Sequence, residues 1–304
     1  MAVRVRVRVP ATSANLGPGL DALGLALALY NDVEVVLAPT GATVAIDGEG
    51  SERFATGEGN LVVRSARAAL DALGVPPPGL DLRCTNRIPG ARGLGSSAAA
   101  IVAGVAAGAA LASPHQPLDI DWALDLCARL EGHPDNVAAC LLGGVTVAWY
   151  EAGGRARAVR ADPAPDLVAV LLVPAVRVST ARARQLLPAT VTLADAAHSA
   201  GRAALAALAL TSRTDLLLPS TEDRLHQAYR TAAMPSSLGL LERLRGRGLA
   251  ATISGAGPSV LVLAGGAGSV SLLADIVATG VDGFDVMASA PEPTGVQVTW
   301  LGEA

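Results

Sequence analysis

A glycine-rich turn that runs straight into a helix of alanine, valine and glycine constrains this chain more than any other stretch. The segment is "RIPGARGLGSSAAAIVAGVAAGAALA", Arg87 to Ala112. Glycine lets backbone approach a ligand closely or take positive φ. Serine caps helix N-termini, and alanine is the best helix former. The stretch reads as a strand end, a glycine loop and a helix from about Ser97 to Leu111. The first N–H groups of such a helix lack internal partners, with the helix dipole behind them. An anion suits that spot. The apolar run Ala98 to Ala112 is too short to span a membrane and reads as a buried helix.

The rest of the pattern mixes strands and helices without a strict βαβ repeat, which points to two α+β domains. "MAVRVRVRVP" alternates as a half-exposed strand over residues 1–9, and "PATSANLGPGLD" after it reads as a turn-rich loop. "NDVEVVLAP" and "ATVAIDG" read as a hairpin through "TG". "NLVVRSARAALDAL" and "DIDWALDLCARLEG" have helical spacing. The polar, glycine- and proline-rich "EAGGRARAVRADPAP" suggests a division into residues 1–150 and 151–304.

Composition narrows the chemistry. The 304 residues carry a formal charge of −4, no basic run and few aromatics, so nucleic acid is a poor partner. No secretory or membrane segment is expected. Every one of the 23 basic residues is arginine, so no lysine can act as base, Schiff-base former or phosphate clamp. The three cysteines lack C-x-x-C spacing, which suits buried thiols and a cytoplasmic location.

"GARGLGSS" lacks the lysine of a Walker A loop and misses the G-x-G-x-x-G spacing. Two more glycine motifs accompany it: "PATSANLGPGLD", Pro10 to Asp21, and "SGAGPS", Ser254 to Ser259. In order and over the full length, the three motifs resemble the GHMP kinase superfamily. "SANLGPGLDALG" and "LEGHPDNVAACLLGG" resemble its homoserine kinase branch in particular. The resemblance implies a ribosomal S5 domain 2-like N-terminal domain, a ferredoxin-like C-terminal domain, and phosphoryl transfer from ATP to L-homoserine. A homodimer is compatible with it.

The resemblance also implies a site. The phosphate loop would be Pro89, Gly90, Ala91, Arg92, Gly93, Leu94, Gly95, Ser96, Ser97, Ala98 and Ala99, with Asn60 near the adenine and Arg87 at the nucleotide or the surface. Ser97 and Glu131 would ligate Mg²⁺, a hard-oxygen set. Asn15 and Asp21 would meet the substrate, Asp21 at its ammonium. Arg184 and Arg230, from "STARARQLLP" and "DRLHQAYR", would meet its carboxylate, as bidentate guanidinium groups do. His133 and Asn136 would stand at the reacting hydroxyl. An amide cannot accept a proton as the aspartate of mevalonate-type relatives does, so His133, Asp135 or direct attack remain the options. Rival readings are a mevalonate or diphosphocytidyl-methylerythritol kinase, or a nucleotide-binding regulator.

Overall fold

The computed structural model describes residues 3–303. Its first strand, β1 (Val3–Asn15), buries Val5, Val7 and Val9 completely and turns Arg4, Arg6 and Arg8 outward, as a period of two requires. The outer arginines pair with Glu34 and Asp32 on β2 (Gly19–Ala38). The expected loop after residue 9 is strand instead. "PATSAN" carries β1 on to Asn15, and the chain reverses through Leu16–Pro18 into β2. Asn15, Leu16 and Asp21 take positive φ of 65°, 48° and 57°. Residues with a Cβ stay there only where the surroundings hold them.

The expected β2–β3 hairpin does not form. β4 (Gly79–Asn86) lies between β2 and β3 (Ala42–Gly48), antiparallel to β2 and parallel to β3. The parallel pair needs a crossover, which α1 (Leu61–Ala72) supplies. Burial explains the order: β4 buries Leu80, Leu82 and Cys84, whereas β3 buries only Val44 and suits an edge.

Helix α2 (Ser96–Ala112) follows the glycine loop and is buried on most of its surface. A Cβ added at Gly104 would lie 2.3 Å from the Val62 carbonyl oxygen, and one at Gly108 2.6 Å from that of Ala66. The two glycines thus let α1 pack backbone against backbone. α3 (Ile120–Glu131) and α4 (Asp135–Leu142) complete this layer. β5 (Val145–Tyr150) pairs with the first half of β2 at Leu23–Leu25 and with β6 (Ala156–Ala161). β6 arises from the segment whose composition suggested a boundary.

β7 (Val168–Pro174) opens a second sheet. After it come α5 (Thr180–Gln185), α6 (Leu193–Thr211), α7 (Leu217–Ser220) and α8 (Pro235–Gly246). Then follow β8 (Ala250–Ile253), β9 (Val260–Ala264), α9 (Gly268–Ala278) and β10 (Phe284–Ala288). The sheet order is β10-β7-β9-β8 with every neighbour antiparallel. Counted along the chain this is 4-1-3-2, the ferredoxin-like arrangement. The final strand, β11 (Gln297–Glu303), returns to pair with β1. The first sheet therefore draws on both sides of residue 150.

Candidate active site

Three stretches remote in sequence interlock at the N-terminus of α2. Thr12 N donates to Leu94 O at 3.2 Å, Gly255 N to Ala14 O at 3.0 Å, and Ser259 N to Arg92 O at 3.3 Å. Ser254 Oγ lies 2.7 Å from Gly93 O and 2.8 Å from Ser13 Oγ. Asn15 Nδ2 donates to Gly255 O at 2.8 Å. Gly95, at φ 68°, opens α2 in a left-handed conformation. A Cβ there would meet Thr12 Oγ1 at 1.9 Å, so both space and φ demand glycine.

The convergence encloses a small polar cleft of about 80 Å³. One wall joins Ser97, in the first turn of α2, to Glu131, the last residue of α3: Ser97 Oγ donates to Glu131 Oε2 at 2.7 Å. Burial pushes the Glu131 carboxyl above its usual range, against the opposing hydrogen bond from Ser97. His133 Nδ1 lies 2.8 Å from Asp135 Oδ1, and its Nε2 4.0 Å from Glu131 Oε1. Burial lowers the imidazole's proton affinity, but the Asp135 hydrogen bond and the two carboxylate charges outweigh it, and the net shift is upward. Asp135 also accepts from Asn136 N at 2.7 Å, and Asn136 Oδ1 accepts from Thr12 Oγ1 at 2.8 Å.

The facing wall is cationic. Arg230 is 1% exposed. Its Nη1 donates to Gly255 O at 3.0 Å, and its Nε is buried without a partner among the described residues. Burial, then the charge of Arg184, pulls its pKa down to about 10. Arg184 forms a two-pronged pair with Asp21, Nη2 to Oδ1 at 2.5 Å and Nη1 to Oδ2 at 3.1 Å. Asp21 N donates back to Asn15 Oδ1 at 3.0 Å, which stitches the first motif to itself.

A second cavity of about 600 Å³ adjoins the loop. Val9, Val33, Cys84, Ala99 and Ala103 give it an apolar lining, with Asn31, Asn60 and Asn86 as polar points. Asn60 is also the N-cap of α1, accepting from Val62 N at 2.9 Å, so its capping and lining positions coincide.

The structure brings Asn15, Glu131, His133, Asn136, Arg184 and Arg230 to the polar cleft, with Asp21 paired to one of them. Gly90, Ala91, Gly93, Leu94, Gly95, Ser96, Ser97 and Ala99 line one cavity or both. Of the residues expected at the nucleotide, Pro89, Arg92 and Ala98 line neither cavity, Pro89 being buried, and Arg87 takes the surface alternative. Arg87 points outward and donates to Asp32 Oδ2 at 3.0 Å, because the β2 carboxylate is its nearest counter-charge. Arg92 is spent on the carbonyls of Pro174 and Ala175, at 2.8 and 3.2 Å, fastening the loop to β7. Ala98 is buried beneath the loop. Thr12 and Arg53 were missed. Arg53 stacks on Phe54 at 4.8 Å, at the rim of the apolar cavity. The "PATSAN" motif held the signal for Thr12; nothing in "SERFA" marked Arg53.

The chain is similar to known proteins over most of its length. A family model described as the GHMP kinases N terminal domain matches residues 60–144. The homoserine kinase of Streptomyces coelicolor is 59% identical over 264 residues, 86% of this chain and 85% of its own length. That of Clavibacter michiganensis subsp. michiganensis is 50% identical over 280 residues, 90% of this chain and 87% of its own. The crystal structure of homoserine kinase from Cytophaga hutchinsonii matches with a TM-score of 0.84 at 26% identity, covering 97% of each chain. Two joined α+β units with a glycine loop between an apolar cavity and a charged cleft define a kinase of the GHMP class. Within that class the chain belongs to the homoserine kinase family.

Proposed function

We propose that this chain transfers the γ-phosphate of ATP to the side-chain hydroxyl of L-homoserine, giving O-phospho-L-homoserine on the route to threonine, in the cytoplasm. The observation that carries the reading is the cleft itself. A hydroxyl–carboxylate pair, Ser97 and Glu131, faces two guanidinium groups and a carboxylate, Arg184, Arg230 and Asp21. The second group complements a zwitterion. Asp21 offers a carboxylate for an ammonium, and the arginines offer donors for a carboxylate. The unpartnered, buried Nε of Arg230 is a donor in need of such an acceptor.

The apolar cavity suits adenosine, with Asn60 at its edge. The loop N–H groups from Pro89 to Ala99, backed by the dipole of α2, suit the phosphates. Ser97 and Glu131 fit a magnesium ion: both offer hard oxygens, and the raised affinity of Glu131 for a proton marks a carboxylate that a cation would relieve. When bound, Mg²⁺ supplies neutralisation of phosphate charge. The protein's part is positioning. Arg184, Arg230 and Asp21 hold the amino-acid end, which leaves the hydroxyl near His133 and Asn136. Asn136 is an amide and cannot serve as a base, and His133 is already engaged through Nδ1 with Asp135 at 2.8 Å. The substrate hydroxyl attacks the γ-phosphorus directly, the bond from that phosphorus to the β,γ-bridging oxygen breaks to release ADP, and the hydroxyl proton passes to the transferred phosphoryl group.

The test is ADP release with Mg²⁺ and ATP across L-homoserine, L-serine and mevalonate. Turnover with L-homoserine well above the other two is expected. Equal turnover with mevalonate would overturn the substrate assignment.

A further inference from the structure

We propose that His226 is a positioning residue. As a neutral imidazole protonated on Nε2, it holds the strained Asn15–Asp21 turn through the Gly17 carbonyl and so sets where Asp21 meets the substrate ammonium. The inference rests on the reading of Asp21 given above.

His226 is completely buried, and its Nε2 lies 2.6 Å from Gly17 O. It touches neither cavity, and the phosphoryl-transfer scheme gives it no part. The turn it reaches carries one internal bond, Asp21 N to Asn15 Oδ1 at 3.0 Å, and leans on its surroundings for the rest. Asn15, Leu16 and Asp21 all sit at positive φ without being glycine, a state that external contacts must enforce. The turn is also packed tightly against residue 221: a Cβ on Gly17 would meet Thr221 O at 2.6 Å. Besides the Asn15–Gly255 and Asp21–Arg184 bonds, His226 supplies a side-chain bond to the turn's backbone at Gly17.

The residue itself is fixed firmly enough to serve. Asp223 Oδ2 accepts from the backbone N of His226 at 3.1 Å and of Gln227 at 2.8 Å. Gln227 Oε1 accepts from Ile253 N at 2.6 Å and Thr252 Oγ1 at 2.9 Å, which pins the segment to β8. One turn on, Arg230 binds Gly255 O at 3.0 Å. A single stretch, residues 223–230, thus grips the first glycine motif with His226 and the third with Arg230.

The tautomer follows from the contacts. A carbonyl accepts only from an N–H, so Nε2 carries the proton. Nδ1 is buried with no hydrogen-bond partner among the described residues, and a bare lone pair is tolerated there more cheaply than an orphaned N–H. Burial, helped by Arg230 and opposed by Asp223 3.7 Å away, keeps the ring below its ordinary proton affinity.

Two variants and one spectrum test this on the full chain. His226→Leu removes the donor and should raise the L-homoserine KM by about tenfold, with kcat and the ATP KM within about twofold. His226→Gln restores a donor at the reach of Nε2 and should return the KM to within about threefold of wild type. A long-range ¹H–¹⁵N spectrum of the histidine-labelled wild type should show Nε2 protonated and Nδ1 bare near neutral pH. Equal damage to both substrates in both variants, or the Nδ1–H tautomer, would overturn the proposal. If His226→Leu does not fold, the spectrum and His226→Gln still decide. A wild-type enzyme that ignores L-homoserine would instead sink the functional reading while leaving the tautomer measurable.

Discussion

Replacing Arg230 with methionine should separate stability from substrate binding, because on the proposed function the side chain serves the second at the expense of the first. Its guanidinium is 1% exposed, with one carbonyl partner and Arg184 as a like-charged neighbour. The fall of its pKa to about 10, from an ordinary arginine value above 12, corresponds to roughly 3 kcal/mol of destabilisation of the charged form in the folded chain. Methionine fills similar volume without that penalty. It also leaves Gly255 O satisfied, since Asn15 Nδ2 binds the same oxygen at 2.8 Å. The substrate-free Arg230→Met protein should therefore melt no lower than wild type. Its affinity for L-homoserine should fall by the worth of a charge-assisted contact, about 1.5–3 kcal/mol, or roughly 10- to 150-fold in KM. Differential scanning fluorimetry with and without L-homoserine, together with steady-state kinetics for both substrates, reads both quantities. A variant that melts several degrees lower yet keeps its L-homoserine KM would refute the reasoning and return Arg230 to a purely structural place.

Three other perturbations bear on the site and its scaffold. Glu131→Gln keeps the shape of the Ser97 contact but removes the charge, and kcat should fall by roughly 10²-fold or more, with a higher Mg²⁺ requirement in a titration of rate against metal. His133 has a folded pKa above its unfolded value, so its pairing with Asp135 stabilises fully below about pH 6.5 and is lost as pH rises through the higher folded value. Asp135→Asn should flatten that part of the melting-temperature profile and lower it most on the acid side. Gly104→Val would drive a side chain into the Val62 carbonyl and should cost about 1–3 kcal/mol, several degrees in thermal melting.

Much of this was legible because local pattern and tertiary role coincide. The Val/Arg alternation of β1 needs no partner to be read, and the alanine–glycine run of α2 announces burial on all sides. What escaped depends on contacts that the local chain does not record. Nothing between Asn31 and Gly48 says that β4 will slip between two sequential strands; its greater burial decides that. Arg87, which precedes the loop, leaves nucleotide and surface both open in the sequence, and Asp32 on a neighbouring strand pairs with it at the surface. His226 was passed over inside "DRLHQAYR" because its partner Gly17 lies at the other end of the chain. The residues that meet in the polar cleft were visible through motif register, whereas the pairing of Asp21 with Arg184 was not.

The bonds that close the site span the sequence: Asn15 to Gly255, Ser254 to Ser13, Arg184 to Asp21. Loops of that length close late, since the entropy of joining distant segments is met before their contacts can reward it. A nascent or refolding chain can therefore assemble α1 on α2 from local contacts while its first and third glycine motifs are still apart. Catalytic competence should then appear only once those two ends have docked. A partly folded chain of this kind is inert rather than partly active. Activity regained after dilution from denaturant then times the docking of the two ends of the polypeptide, well behind the return of its helical signal.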